Sequence, residues 1–191
     1  MAATFTLIRN LADSNGDIET QVYGGRHTRA VDIAKTPLSY STVVNDCDIA
    51  VLAGLAKTPI LTGQLDSTRR RHAYLTLPSD DTGVAEYKGR GRGWAFESSL
   101  GKKYCWKHAF FSNAITLKNS NGDKIATYEA NCVISTLDGY LTLHKAVDEE
   151  VLVLILLTSR LERVIMEEKE AGRRNGDRMA AGGMFGAETT C

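Results

Sequence analysis

The sequence predicts a mostly β domain closed by one strongly apolar helix near its C-terminal end. Three observations predict it. From Phe5 to Leu143, short alternations of apolar and polar residues are punctuated by Asn, Asp, Gly and Pro, which is the pattern of strands and turns. From Asp148 to Glu170 neither Gly nor Pro interrupts the chain, a span too long for one strand. Within it, Val151 to Leu157 is an unbroken run of seven apolar residues. A helix built from that run has no polar face and is buried on every side. A central strand is the competing reading of the run, and the uninterrupted length decides for the helix.

The elements follow in order. Phe5, Leu7 and Arg9 alternate with Thr6, Ile8 and Asn10 in a first strand. Ser14-Asn15-Gly16-Asp17 reads as a turn, because Asn and Gly tolerate positive φ. Ile18 to Tyr23 reads as the second strand, and Asp46 to Leu55, rich in Ile, Val, Leu and Ala, contains a further one. Tyr74 to Leu77 is ended by Pro78, which cannot continue a ladder. The strongest local signal is the pair Ala114–Lys118 and Lys124–Tyr128 around Asn119-Ser120-Asn121-Gly122-Asp123, two alternating runs on an Asn-Gly turn. Cys132 to Thr136 reads as a strand, Asp138-Gly139 as a turn, and Tyr140 to Leu143 as its return. Asp148 caps the helix, and Glu149 and Glu150 suit its positive end. Leu161, Val164 and Ile165 give its second half one apolar face. Ala171-Gly172 offers a stop. The expected organisation is therefore a domain over 1–170, with its helix at about 148–170, and a flexible tail over 171–191 rich in Gly, Ala, Arg and Met.

The chain has 191 residues, enough for one domain with a sizeable core. Lys plus Arg equals Asp plus Glu, so the formal net charge is zero, which argues against a general nucleic-acid binder. Cys47, Cys105, Cys132 and Cys191 are far apart and form no CxxC pair. Neither a zinc site nor a disulfide framework fits that spacing, and reduced thiols in a cytoplasmic protein do. Met1 to Thr6 lacks a basic n-region before an apolar run, so no secretory signal is read there. The longest apolar run falls well short of the roughly 20 residues that a membrane span needs.

Motifs for chemistry are missing. His27, His72, His108 and His144 form no HExxH pattern, and no GxSxG elbow or Walker loop occurs. Cys105 and His108 are close in sequence, but a core thiol beside Trp106 and a strand or loop histidine is the preferred reading over a nucleophile and its base. Asn119 to Asp123 resembles half of a calcium loop without its distal Glu, so it reads as a hairpin turn. The expectation is a protein with no enzymatic activity, no cofactor and no metal. What stands out is charge distribution. Between Lys57 and Lys107 there are ten Lys or Arg against five Asp or Glu, a local excess of five positive charges. Arg69-Arg70-Arg71, Lys88-Gly89-Arg90-Gly91-Arg92 and Lys102-Lys103 are its clusters. In an extended strand Lys88, Arg90 and Arg92 share one side, and the glycines between them let phosphate oxygens approach backbone amides. Solvated hairpin ends are the plainer reading of the same clusters, and Trp94 beside the Arg-Gly pairs also permits stacking on a nucleic acid.

Several stretches resemble the tubby C-terminal-like superfamily, which includes the LURP-one-related proteins, the phospholipid scramblases and many small fungal proteins. Ser39-Tyr40-Ser41-Thr42-Val43-Val44 is similar to an early strand of the small fungal members. Trp94-Ala95-Phe96-Glu97 followed by Gly101-Lys102-Lys103-Tyr104-Cys105-Trp106-Lys107 resembles their hairpin. Leu117-Lys118 to Ala126-Thr127-Tyr128 resembles their next strand pair, and Gly139 to Leu143 with the helix resembles their ending. The likeness covers roughly Phe5 to Glu170. It implies a closed antiparallel β-barrel around a hydrophobic C-terminal helix, which explains why Val151 to Leu157 lacks a polar face. The calcium loop expected of a scramblase is missing.

Tubby-like proteins bind phosphoinositides. The resemblance therefore implies a non-enzymatic binding module that docks on anionic phospholipid or phosphoinositide headgroups, peripheral to a membrane. The residues expected to carry it are Arg69, Arg71, Lys88, Arg90, Arg92, Lys102 and Lys103, converging on one rim. The alternative is a protein-interaction scaffold with a protein partner and no small ligand. A cysteine-dependent enzyme and a nucleic-acid binder rank below both.

Overall fold

The computed structural model describes residues 2–10, 18–26, 38–45, 47–66, 71–77, 82–88, 93–108, 113–131 and 137–182. The strands are β1 (Ala3–Arg9), β2 (Ile18–Gly24), β3 (Leu38–Asn45), β4 (Asp48–Ala53), β5 (Thr58–Leu65), β6 (His72–Thr76), β7 (Thr82–Tyr87), β8 (Trp94–Glu97), β9 (Lys103–His108), β10 (Ala114–Asn119), β11 (Lys124–Ala130) and β12 (Leu137–Leu143). A helix, α1 (Glu149–Gly182), follows. Each strand pairs antiparallel with its sequence neighbours, and β1 closes on β12 from Ala3↔Leu143 to Ile8↔Leu137. The result is a closed barrel of twelve strands. Closure leaves no unpaired edge to attract another chain.

The alternation read from the sequence becomes an inside and an outside. On β9, Tyr104 and Trp106 are buried while Lys103 and Lys107 are exposed. On β10, Ile115 and Leu117 are buried while Lys118 is exposed. Eight strands already give a bore just wide enough for side chains to fill. Twelve leave a wider one, and α1 occupies it. Val151, Val153, Leu154, Ile155, Leu156 and Leu157 are all buried, with Trp94, Trp106, Leu61 and Leu75 among the buried strand residues of the same core. Each such side chain contributes roughly 1.5–3 kcal/mol through burial. Leu152 is only half-buried, because it sits in the first turn at the barrel mouth.

Asp148 caps this helix as its position suggests: its Oδ1 accepts the Val151 N–H at 2.8 Å. Glu150 accepts both the N–H and the hydroxyl of Ser99. That contact fixes the entry rim, where the β4–β5, β8–β9 and β10–β11 turns lie. The other end of the barrel is the exit rim, where Arg9 of β1 pairs with Glu167 and Arg163 donates to the Asn131 carbonyl.

Three local expectations change. Asp138-Gly139 is no turn but part of β12. A Cβ on Gly139 would lie 2.3 Å from the Glu129 carbonyl oxygen, so glycine is required there by close approach of two backbones. The stop at Ala171-Gly172 is not used, and helical backbone runs on to Gly182. One glycine costs a helix only about 1 kcal/mol. Cys105 is not a core thiol, because it faces outward between buried Tyr104 and Trp106 and is half-exposed. The expected turn at 14–17 and strand at 132–136 lie outside the described residues. The Asn119 turn is as expected: its Oδ1 accepts the N–H groups of Asn121 and Asp123, and Gly122 has φ 83°.

Candidate functional site: a cationic groove over β7 to β10

Strand β8 is four residues long, and its outward side chains are Ala95 and Glu97. Ala95 pairs with Glu86 of β7 on one side and with Cys105 of β9 on the other. Cys105 in turn pairs with Lys118 of β10. One cross-strand row therefore reads Glu86, Ala95, Cys105, Lys118, with two small residues between two long ones. The next row reads Val84, Glu97, Lys103. Small side chains flanked by long ones leave a groove of about 330 Å³, bordered by Lys88, Lys103 and Lys118 and by Glu86 and Glu97.

The charges around it are unequal. Lys103 meets Glu97 at 3.4 Å, with both side chains largely solvated, so their attraction is weak. Among the described residues, Lys88 and Lys118 have no carboxylate partner. The groove thus offers ammonium groups from three separate strand regions to one ligand. Its floor holds the half-exposed Cys105 thiol, which donates to the Trp106 carbonyl at 3.4 Å. His108 lies on the opposite face of β9 and contacts the buried Glu162 of α1. Residues three apart on a strand point to opposite sides, so Cys105 and His108 do not form a pair.

Of the residues expected to bind, Arg69, Arg90 and Arg92 lie outside the described residues. Arg71 and Lys88 are neighbours at the exit rim, where the Tyr87 N–H donates to the Arg71 carbonyl at 2.6 Å. Lys102 and Lys103 are at the far end of the β8–β9 hairpin, on the entry rim. These four do not share one rim. The groove runs along the short β8 between the two ends, so Lys88 and Lys103 both border it. Lys118 was missed, because its membership depends on β10 lying beside β9. Its alternation with Leu117 marked it as outward, which was the only signal available.

A second polar assembly lies inside the barrel at the exit rim. Arg160 and Asp138 are both buried and meet at 2.9 Å. The Tyr128 hydroxyl donates to the other Asp138 oxygen at 2.9 Å. Burial, and then the Asp138 charge, push the Tyr128 hydroxyl well above the ordinary tyrosine value. These contacts tie β11, β12 and α1 together. Their chemistry is that of a buried, paired charge, which needs partners to be tolerated at all.

The fold and the groove together define a helix-filled antiparallel barrel with a lysine-bordered surface groove. No family model matches the chain, and no curated protein matches it. An X-ray structure of a protein from Arabidopsis thaliana, AT5G01750, is similar to it with a TM-score of 0.52 at 9% identity, covering 82% of this chain and 88% of that one. At that identity the likeness concerns the fold alone. Among the described residues no helix is long and apolar enough to cross a membrane, and no cluster of His, Cys, Asp or Glu is arranged to hold a metal ion.

Proposed function

We propose that this chain is a non-enzymatic binding module that docks on anionic phospholipid headgroups through the groove over β7 to β10. The observation that carries the reading is the meeting of Lys88, Lys103 and Lys118, from three strand regions, around one surface cavity. The tubby-like patterns in the sequence and the barrel shared with the Arabidopsis structure support the same reading. A phosphorylated headgroup carries several negative charges, and exposed lysines act on it as point charges. Each alone is worth little, so binding depends on several together and weakens with salt.

The test is sedimentation with phosphatidylcholine vesicles, alone or containing phosphatidylserine or a phosphoinositide, at low and physiological ionic strength. The expected result is binding to the anionic vesicles only, strongest at low salt. Lys88→Glu combined with Lys118→Glu should reduce it at least tenfold, about 1.4 kcal/mol, with an unchanged melting temperature. Arg90→Glu with Arg92→Glu tests the neighbouring segment in the same assay. Equal sedimentation of wild type and the lysine variant would remove the groove as the site. A second reading, a protein-interaction scaffold, draws on Tyr74 and Val84. They are cross-strand partners on the outer face, 59% and 43% exposed, and Val84 borders the groove. Failure to bind any anionic vesicle would leave that reading in front.

A further inference from the structure

The outer groove is not uniformly cationic. Its charged residues are Lys88, Lys103, Lys118, Glu86 and Glu97. Lys103 and Glu97 face each other at 3.4 Å, so their charges offset one another in the field of the groove. Lys88, Lys118 and Glu86 are different: among the described residues none of the three has a side-chain ion pair or hydrogen bond. Glu86 is half-buried on β7, between the buried Ala85 and Tyr87. The uncompensated charge of the groove is therefore two ammonium groups and one carboxylate.

Strand pairing sets where these three stand. The Lys88 N–H donates to the Gly93 carbonyl at 3.1 Å, which carries the β7 ladder on to Lys88. Lys88 and Glu86, two residues apart, leave the same side of the chain, about 7 Å from each other along it. Lys118 lies in the Glu86 row three strands away, beyond Ala95 and Cys105, roughly 14 Å off at the backbone. Glu86 thus stands at the corner between two ammonium groups, around a space of about 330 Å³. That is the low end of the ~300–1,000 Å³ of small-molecule sites, so a small headgroup fits better than a large one. An excess of lysine alone suits any polyanion. An unpaired carboxylate among the lysines repels a phosphate placed beside it and is satisfied by an ammonium. The complementary ligand carries two anions with one ammonium between them, which is the charge order of phosphoserine. The heads of phosphatidylglycerol and of a phosphoinositide carry no ammonium for Glu86.

We propose that the groove selects the phosphoserine headgroup, with its ammonium against Glu86 and its carboxylate and phosphate against Lys88 and Lys118. This selectivity rests on the groove being the docking site for anionic phospholipid. The experiment is sedimentation of the full chain at physiological ionic strength with phosphatidylcholine vesicles containing equal fractions of phosphatidylserine or of phosphatidylglycerol. The two lipids carry the same net charge, and only phosphatidylserine brings an ammonium and a carboxylate. It should bind about tenfold more tightly. Glu86→Gln should remove that preference by weakening phosphatidylserine binding about tenfold, with phosphatidylglycerol binding unreduced and the melting temperature unchanged. Glycerophosphoserine, the same headgroup without acyl chains, should displace the protein from phosphatidylserine vesicles, whereas glycerophosphoglycerol should not. Equal binding of the wild type to both vesicles would overturn the phosphoserine class and leave docking on anionic lipid in place. An undiminished preference in folded Glu86→Gln would overturn Glu86 as its source. Failure of glycerophosphoserine to compete would assign binding to the charge of the bilayer surface and overturn capture of the headgroup. Binding to neither vesicle would overturn the selectivity and the docking reading together.

Discussion

Asp138 and Gly139 stand side by side in β12 and are held by opposite physics. Asp138 is a buried charge whose two oxygens are taken by Arg160 and Tyr128. Removing one partner of a buried pair leaves the other charge uncompensated and costs about 3–5 kcal/mol, a large part of a domain's roughly 5–15 kcal/mol. Asp138→Ala should lose that much in urea denaturation. A loss under about 1 kcal/mol would mean that Arg160 finds water instead. Gly139 is constrained by space. Its missing Cβ would collide with the Glu129 backbone oxygen, which cannot rotate away. Gly122 differs, having positive φ but nothing within 4 Å. Gly139→Ala should therefore cost about 3 kcal/mol or more, at the top of the usual range for overpacking. Gly122→Ala should cost only the backbone strain, about 1 kcal/mol. Equal losses in parallel melts would refute the distinction.

At the level of the element, α1 fills the bore, and its neighbours depend on it. The inward faces of β8 and β9 carry Trp94, Phe96, Tyr104 and Trp106, and these large side chains pack with Leu154 to Leu157 and Leu161 in one core. Twelve strands cannot close on their own side chains as eight can. A chain truncated after Ala146 should consequently give no cooperative melt by near-ultraviolet circular dichroism. A sharp transition with native tryptophan signals would show that the barrel stands empty. The helix is also anchored at both rims of the barrel, by Ser99 on Glu150 and by Arg9 on Glu167. Its register in the bore is thus fixed by polar contacts, while its presence there is driven by apolar burial.

For the molecule as a whole, three tyrosines contribute to its behaviour at high pH. Tyr128 is raised by burial and then by Asp138. Tyr104 is raised by burial, then by Asp148 and Glu150. Tyr40 is raised by burial, then by Glu149. Burial favours the neutral phenol in each, and the carboxylates at the start of α1 add to it for the last two. The unfolded chain releases these protons near pH 10, close to the ordinary value of 10.0, and the folded chain only higher. Above pH 10 the unfolded state therefore binds fewer protons, and stability falls with rising pH, by up to about 1.4 kcal/mol per unit for the fully buried Tyr128 and by less for the other two, whose shifts solvent screens. Urea denaturation between pH 9 and 11 should record that decline, and Tyr128→Phe should flatten it. A slope identical in the variant would exclude Tyr128 as a contributor.

The same three scales separate what could be read from residues alone. The seven apolar residues from Val151 to Leu157 determined that a helix must be buried all round, and Asp148 with Glu149 and Glu150 determined where it starts. The Asn119–Asp123 turn and its two alternating strands were equally legible, since a turn and a period of two are local properties. What joins distant segments was not. The closure of β1 on β12, the pairing of Arg160 with Asp138, and the place of Lys118 beside Cys105 and Lys103 depend on which strands become neighbours. Asp138-Gly139 looked like a turn because the sequence carries a glycine's freedom but not the backbone that crowds it. Local preferences are set within a few residues of chain. The groove arises from the spacing and curvature of strands that meet only when the barrel closes around its helix.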